Sequence, residues 1–188
     1  MFINNIDPIL LHIGPFGIRY YGVIYVLGFI FSYVLFKYFA NKDKLKINQE
    51  KIDEYFLWLI AGVIIGARIF EVFIYNPECY LSNIAEMFML WHGGLSFHGG
   101  LVGAVTATWI FCKKNKVAFY DFVDILVIPA ALALALGRIA NFTNSELYGK
   151  ITNTQSTPWC VVFQKIDGFC RHPTQIYESI KNIFMFFV

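Results

Sequence analysis

Long apolar stretches alternate with short polar ones along this chain. Gly17 to Ala40 is the first, and Tyr55 to Tyr75, which carries Arg68 and Glu71, is the second. Leu95 to Cys112 is the third, Phe122 to Leu136 a shorter fourth, and Gln175 to Val188 a fifth. A helix that crosses a bilayer needs about 20 mainly apolar residues. The pattern therefore predicts an all-α polytopic membrane protein. It has about five transmembrane helices, over about 17–40, 55–75, 95–112, 122–136 and 175–188, and the last is incomplete. The whole chain, 1–188, reads as a single membrane domain.

Charge placement gives the spans a direction. Lys37, Lys42, Lys44, Lys46 and Lys51, diluted by Asp43 and Glu50, follow the first span, and Lys113, Lys114 and Lys116 follow the third. Lysine-rich loops stay in the cytoplasm, so the N-terminus, residues 76–94 and residues 138–173 are expected outside. The last of these reads as a small exterior cap. Two strand-like runs, Cys160 to Phe163 and Phe169 to Arg171, flank the turn signal Asp167-Gly168. Ser82 to Leu90 reads as a short helix in the interface, and Tyr20, Tyr21, Trp91 and Trp159 suit the outer headgroup level. Cys160 and Cys170 share the cap, and the spacing leaves a disulfide and two free thiols both open. No cleavable signal pattern precedes the first span.

Composition sharpens the class. Hydrophobic residues make up 57% and charged residues 15%, with a mean hydropathy of +0.55. That excludes an ordinary soluble domain, a disordered chain, collagen and a small disulfide scaffold. A net charge of +2 predicts no nucleic-acid partner. The histidines and cysteines lack metal-ligand spacing, and no Walker, Rossmann or serine-elbow pattern is present. No metal and no cofactor is expected.

Several polar residues call for chemistry or pairing. His98-Gly99-Gly100 opens the third span, with Gly103 one turn later. A helix N-terminus attracts phosphate and does not stabilise a cation, so a neutral His98 suits a proton acceptor. The glycines suit either close approach of a lipid headgroup or helix packing. Arg138, at the exterior end of the fourth span, suits either the helix dipole or a two-point phosphate clamp. Asn141, Asn144 and Glu146 follow it; Asn141-Phe142-Thr143 fits a glycosylation acceptor, but its position against a span argues against modification. Arg68 and Glu71, on one face of the second span, are expected to pair with each other or to serve a pathway. Asp121 and Asp124 read as structural acids at a helix start. Glu178 begins the fifth span and needs a cationic partner: Arg138, Arg68 or Arg171. Tyr21, His98, Arg138, Asn141, Glu146 and Glu178 thus fall at one level, the outer-leaflet boundary, where they suggest chemistry on a phospholipid.

Those residues carry a resemblance. The run from Gly137 to Gly149, GRIANFTNSELYG, resembles the signature of the bacterial prolipoprotein diacylglyceryl transferases. Ser96-Phe97-His98-Gly99-Gly100-Leu101 resembles that family's second hallmark, and Tyr20-Tyr21-Gly22 and the run Arg171 to Glu178 match two further segments in order. Ala140 stands where a glycine is common. The resemblance implies a multi-pass enzyme of the inner membrane, acting in lipoprotein biosynthesis and protein modification. It implies transfer of the diacylglyceryl group from phosphatidylglycerol to the lipobox cysteine of a prolipoprotein signal peptide, with release of glycerol phosphate. Carried over by position, Arg138 binds phosphate, His98 is the thiol base, and Tyr21 joins them as catalytic. Asn141, Glu146, Gly149, Glu178, Gly99 and Gly100 line the substrate site. The family continues through two further transmembrane helices, one with an arginine thought to act at the phosphate, so a C-terminally truncated member is expected. Two alternatives stand beside transfer: an inactive member that binds lipid or precursor without turnover, and an ion-coupled transporter using Arg68, Glu71, Asp124 and Glu178.

Overall fold

In the computed structural model, residues 2–13, 16–42, 45, 47–90 and 93–188 are described; Asp43, Lys44 and Lys46 of the first lysine cluster, and Trp91 and His92, lie outside them. The helices are α1 (Tyr20–Asn41), α2 (Gln49–Phe70), α3 (Pro77–Ser82), α4 (Phe97–Asn115), α5 (Phe119–Thr143) and α6 (Thr174–Phe187). A π-helical turn, Glu71–Tyr75, extends α2, and a 3-10 turn, Ile84–Phe88, follows α3. Short strands are β1 (Phe2–Asn4), β2 (Ile9–Ile13), β3 (Phe16–Arg19), β4 (Val161–Phe163) and β5 (Cys170–Arg171).

Among the described residues three helical segments are long and apolar enough to cross a membrane: Tyr20–Asn41, Gln49–Tyr75 and Phe119–Thr143. Helix α4 has 19 residues and α6 has 14, and neither is among those three. Helix α5 outruns its apolar stretch: backbone hydrogen bonding continues past Leu136 to Thr143, so Arg138 and Asn141 lie inside the helix. Pro129 is accommodated within it. The span expected over 122–136 therefore occupies only the middle of a longer helix.

The chain divides into two compact units, Tyr33–Ile125 and the pair of segments Met1–Ser32 and Leu126–Val188. In the Tyr33–Ile125 unit, α2 starts at an N-cap: Asn48 accepts a hydrogen bond from the Lys51 amide at 3.0 Å. Ser96 caps α4 in the same way, accepting from the Gly99 amide at 3.2 Å. The two helices then pack backbone against backbone. A Cβ added at Gly66, Gly99 or Gly103 would strike the facing helix, and one at Gly62 would meet Ala107 Cβ at 2.6 Å. Three glycines weaken α4 as an isolated helix by about 1 kcal/mol each, so close packing on α2 offsets that cost. Below this contact, Phe36, Tyr55, Phe111 and Phe122 form a fully buried aromatic cluster. The Tyr55 hydroxyl is satisfied there by Thr108 Oγ1 at 3.0 Å.

The other unit holds the cap. Its sheet runs β1-β4-β5, with β1 parallel to β4 and β4 antiparallel to β5. The two strands expected over 160–163 and 169–171 are present as β4 and β5. Cys160 and Cys170, with Cα atoms 5.5 Å apart, form a disulfide across them. The third strand comes from the N-terminus, where the fully buried Asn4 donates from Nδ2 to Phe142 O at 2.5 Å. A separate β2–β3 hairpin leads into α1.

Candidate active site

Helix α5 carries Arg138 and Asn141 three residues apart, hence on one face. Arg138 Nε donates to Glu178 Oε2 on α6 at 2.7 Å. Of the three cations open to Glu178, it is Arg138 that meets it. Asn141 is buried and works from both ends of its amide. Its Oδ1 accepts from Arg138 Nη1 at 3.5 Å, and its Nδ2 donates to Glu146 Oε2 at 3.3 Å. Asn144 Nδ2 donates to the other Glu146 oxygen at 3.3 Å. Tyr21 lies near the same carboxylate and near the Arg138 charge. One unit thus brings together Tyr21, Arg138, Asn141, Glu146 and Glu178. A helical, buried Asn141 so engaged is not an accessible glycosylation acceptor.

The turn after α5 is strained where it presents Glu146. Ser145 has φ 60° and Leu147 φ 51°, the left-handed region that non-glycine residues avoid at a cost of about 1–2 kcal/mol each. Two contacts from the start of α6 and one from His172 just before it hold the turn. Gln175 Nε2 donates to Glu146 O at 2.6 Å, Thr174 Oγ1 to Leu147 O at 2.9 Å, and the Gly149 amide to His172 O at 2.9 Å. A Cβ at Gly149 would stand 2.7 Å from His172 O, so glycine is needed there for close approach of the backbone. Ser179 Oγ, also buried, donates to Ala135 O at 2.9 Å and ties α6 to α5.

The adjoining cap is locked by charge. Arg171 pairs with Asp167, donates to Gly149 O at 3.3 Å and lies over the Tyr148 ring at 4.6 Å. The Arg171 guanidinium beside it holds the Asp167 carboxyl below its ordinary range, and Asp167 in turn raises Arg171.

His98, Gly99 and Gly100 belong to the other unit. His98 is exposed at the start of α4, and its Nδ1 is 2.8 Å from the Tyr75 hydroxyl. Gly99 and Gly100 are buried against α2, so their packing role, one of the two open readings, is the one their surroundings display.

Arg68 behaves differently from expectation. No Arg68–Glu71 ion pair is formed among the described residues; Glu71 accepts from Asn76 Nδ2 at 2.7 Å instead. Arg68 is buried and spends its donors on carbonyls of the loop ahead of α4. These are Glu86, Met87 at 3.0 Å, Gly93 at 2.6 Å and Gly94 at 2.8 Å. Its guanidinium also lies over the Tyr80 ring at 4.8 Å. Intramembrane charge is costly unless satisfied, and backbone oxygens satisfy it here, which removes Arg68 from any ion path. The Tyr75–His98 contact was not read from the sequence, where Tyr75 simply ends an apolar run.

A family model, prolipoprotein diacylglyceryl transferase, matches residues 8–188. Phosphatidylglycerol--prolipoprotein diacylglyceryl transferase of Rickettsia canadensis is 38% identical over 179 residues, covering 95% of this chain and 68% of that protein. The protein of the same name from Ehrlichia ruminantium is 41% identical over 186 residues, covering 98% of this chain and 70% of its own length. That of Rhodospirillum rubrum is 38% identical over 175 residues, covering 93% and 63%. The ordered signature on α5, the turn that presents Glu146 and the matches along nearly the whole chain lead to one conclusion: this chain belongs to the prolipoprotein diacylglyceryl transferase family.

Proposed function

We propose that this protein transfers the diacylglyceryl group of phosphatidylglycerol to the thiol of a lipobox cysteine in a prolipoprotein signal peptide. The observation that carries the reading is the Arg138 cluster. Glu178 takes the Nε edge of the guanidinium at 2.7 Å, while the only contact at an Nη group among the described residues is the 3.5 Å one to Asn141. Arg138 is thereby oriented without being saturated, the state required for two-point binding of a phosphate. Asn141 and Asn144 hold Glu146 in place, and Tyr21 adds a hydroxyl beside it. Gly149 sets the turn, and Gly99 and Gly100 set the height of the His98 backbone on α2.

The step is a displacement. His98 takes the thiol proton, because a thiol with an ordinary pKa near 8.5 attacks as thiolate. The sulfur forms a bond to the terminal glyceryl carbon as the carbon–oxygen bond to phosphate breaks. The electron pair leaves on the phosphate oxygen, where Arg138 stabilises the growing charge, and the proton on His98 passes to the departing glycerol phosphate. The protein sits in the inner membrane with its N-terminus and cap outside, which places the lysine clusters on the cytoplasmic side. Its membrane crossings include the three long apolar segments Tyr20–Asn41, Gln49–Tyr75 and Phe119–Thr143.

Release of glycerol phosphate is the test. Purified protein in phosphatidylglycerol vesicles should release it only when a lipobox peptide with a free thiol is added. Release without peptide, or with a cysteine-to-serine peptide at the same rate, would mean lipid hydrolysis and not transfer.

A further inference from the structure

We propose that Tyr75 is the positioning residue that sets the tautomer of His98, accepting the Nδ1 proton so that Nε2 carries the free lone pair. The inference rests on the reading of His98 as the thiol base. Its foundation is geometric. Tyr75 Oη and His98 Nδ1 are 2.8 Å apart, and the two rings are nearly parallel, at 17°. Both partners sit on held backbone. Tyr75 closes the π-helical turn Glu71–Tyr75, whose C-terminal Asn76 amide bonds back to Glu71 O at 3.0 Å. π-Turns of this kind occur often at functional sites. His98 stands between the N-cap Ser96, whose amide donates to Ala67 O at 3.1 Å, and Gly99, which is pressed on Gly66. Arg68 ties the Gly93 and Gly94 carbonyls just upstream.

A neutral imidazole has one N–H and one lone pair, so the nitrogen bound to Tyr75 decides what the other offers. If the phenol donated to Nδ1, the proton would sit on Nε2 and the ring would present a donor, unable to accept a thiol proton there. If Nδ1–H donates to the phenol oxygen, Nε2 is left with its lone pair. Among the described residues Nε2 has no protein hydrogen-bond partner. When Nε2 takes the proton, the Nδ1–H bond to Tyr75 survives and becomes charge-assisted, hence stronger. The contact therefore supports the protonated ring in the transition state without moving either group. A third group that orients a base in this way recurs in nucleophilic sites.

Nitrogen NMR on histidine-labelled protein in phosphatidylglycerol nanodiscs reads the tautomer directly. The His98 signals are identified by their loss in His98→Gln. We expect a protonated Nδ1 and an unprotonated Nε2 in the natural protein, and a mixed tautomer in Tyr75→Phe. We expect Tyr75→Phe to lower kcat for diacylglyceryl transfer on the order of 10-fold with KM for phosphatidylglycerol unchanged. A protonated Nε2 in the natural protein, or a wild-type kcat in Tyr75→Phe, overturns the assignment. The spectrum of the natural protein requires no variant to fold. Undiminished transfer in His98→Gln would instead remove the thiol-base reading, and the tautomer measurement would still judge the Tyr75 pairing by itself.

Discussion

Each of the two units of the molecule has its own internal packing, and the two differ in kind. The unit of residues 33–125 is shaped by what its side chains lack. Gly62, Gly66, Gly99 and Gly103 let α2 and α4 meet backbone to backbone, and a dry aromatic cluster fills the space beneath. The other unit is shaped by polar groups. Asn4, Asn141, Gln175 and Ser179 are buried, and each spends a donor on a carbonyl or carboxylate. Membrane helices associate through just these two devices, small residues and interhelical hydrogen bonds. Here small residues dominate the α2–α4 seam, with the Tyr55–Thr108 hydrogen bond beside them, and the more polar unit is the one that carries the Arg138 cluster. A hydrogen-bonded frame can orient charges; a glycine seam can only fix distances. In the function proposed above, phosphate chemistry falls to the first and placement of the His98 backbone to the second.

That contrast can be broken most severely at the seam. Gly103→Leu would drive a side chain into the Gly62 carbonyl, and backbone cannot yield as a flexible side chain does. We expect loss of folded protein, roughly 3 kcal/mol or more, seen as aggregation on size exclusion in detergent. Gly137→Ala, where an added Cβ meets nothing within 4 Å, should not lower thermal stability and should raise it slightly, which would show that position, not glycine content, matters.

The polar unit should fail differently. Arg138→Ala is expected to reduce transfer by on the order of 100-fold or more while leaving insertion and thermal stability near normal. Glu178→Gln, which keeps the shape but weakens orientation of the guanidinium, should fall between that variant and the natural protein. Equal loss of stability and activity in Arg138→Ala would mean the residue is structural.

Smaller effects are expected in the cap. Opening the Cys160–Cys170 disulfide, which closes a short loop with a sequence separation of 10, should cost about 2–3 kcal/mol of cap stability. Hydrogen exchange of β4 and β5 with and without reductant measures it, and α2 and α4 should be unaffected. The weakest effect is that of acid. Asp167 has a lowered pKa in the folded protein, so its contribution is present above the ordinary carboxylate range and is lost as pH falls through the lowered value. Exchange at Phe169 and Arg171 should rise only at the acid end of that titration, and Asp167→Asn should abolish the dependence.

Apolar runs placed the long helices, because hydropathy and length are the strongest signals a membrane chain gives. They did not place the end of α5. Gly137 to Thr143 is polar enough to look like a loop, yet Thr143 bonds back into the helix, Asn141 reaches Glu146 and Arg138 meets Glu178. The strands β4 and β5 were legible from the turn signal Asp167-Gly168 flanked by two strand-like runs. Their partner β1 was not, since three residues at the N-terminus carry no pattern and the pairing is decided by a contact across the whole chain, Asn4 to Phe142. Within the site, the signature residues on α5 and α6 were readable as a cluster, and Arg138 was one of three cations open to Glu178. Arg68 was misread. A basic and an acidic residue three apart on a helix suggest a pair, but a loop rich in free carbonyls competes for arginine, and no sequence pattern reports where such a loop folds back. The Tyr75–His98 contact was concealed as well, since the π-turn that ends at Tyr75 leaves no compositional trace.

The central claim is that this chain moves a diacylglyceryl group onto a lipobox thiol with Arg138 at the phosphate. The most direct measurement is the mass of a lipobox peptide after incubation with the 188-residue protein in phosphatidylglycerol vesicles. A gain of one diacylglyceryl unit on the cysteine, lost in Arg138→Ala, is expected. A peptide of unchanged mass from well-inserted protein, or an equal gain with the Arg138→Ala variant, would contradict it.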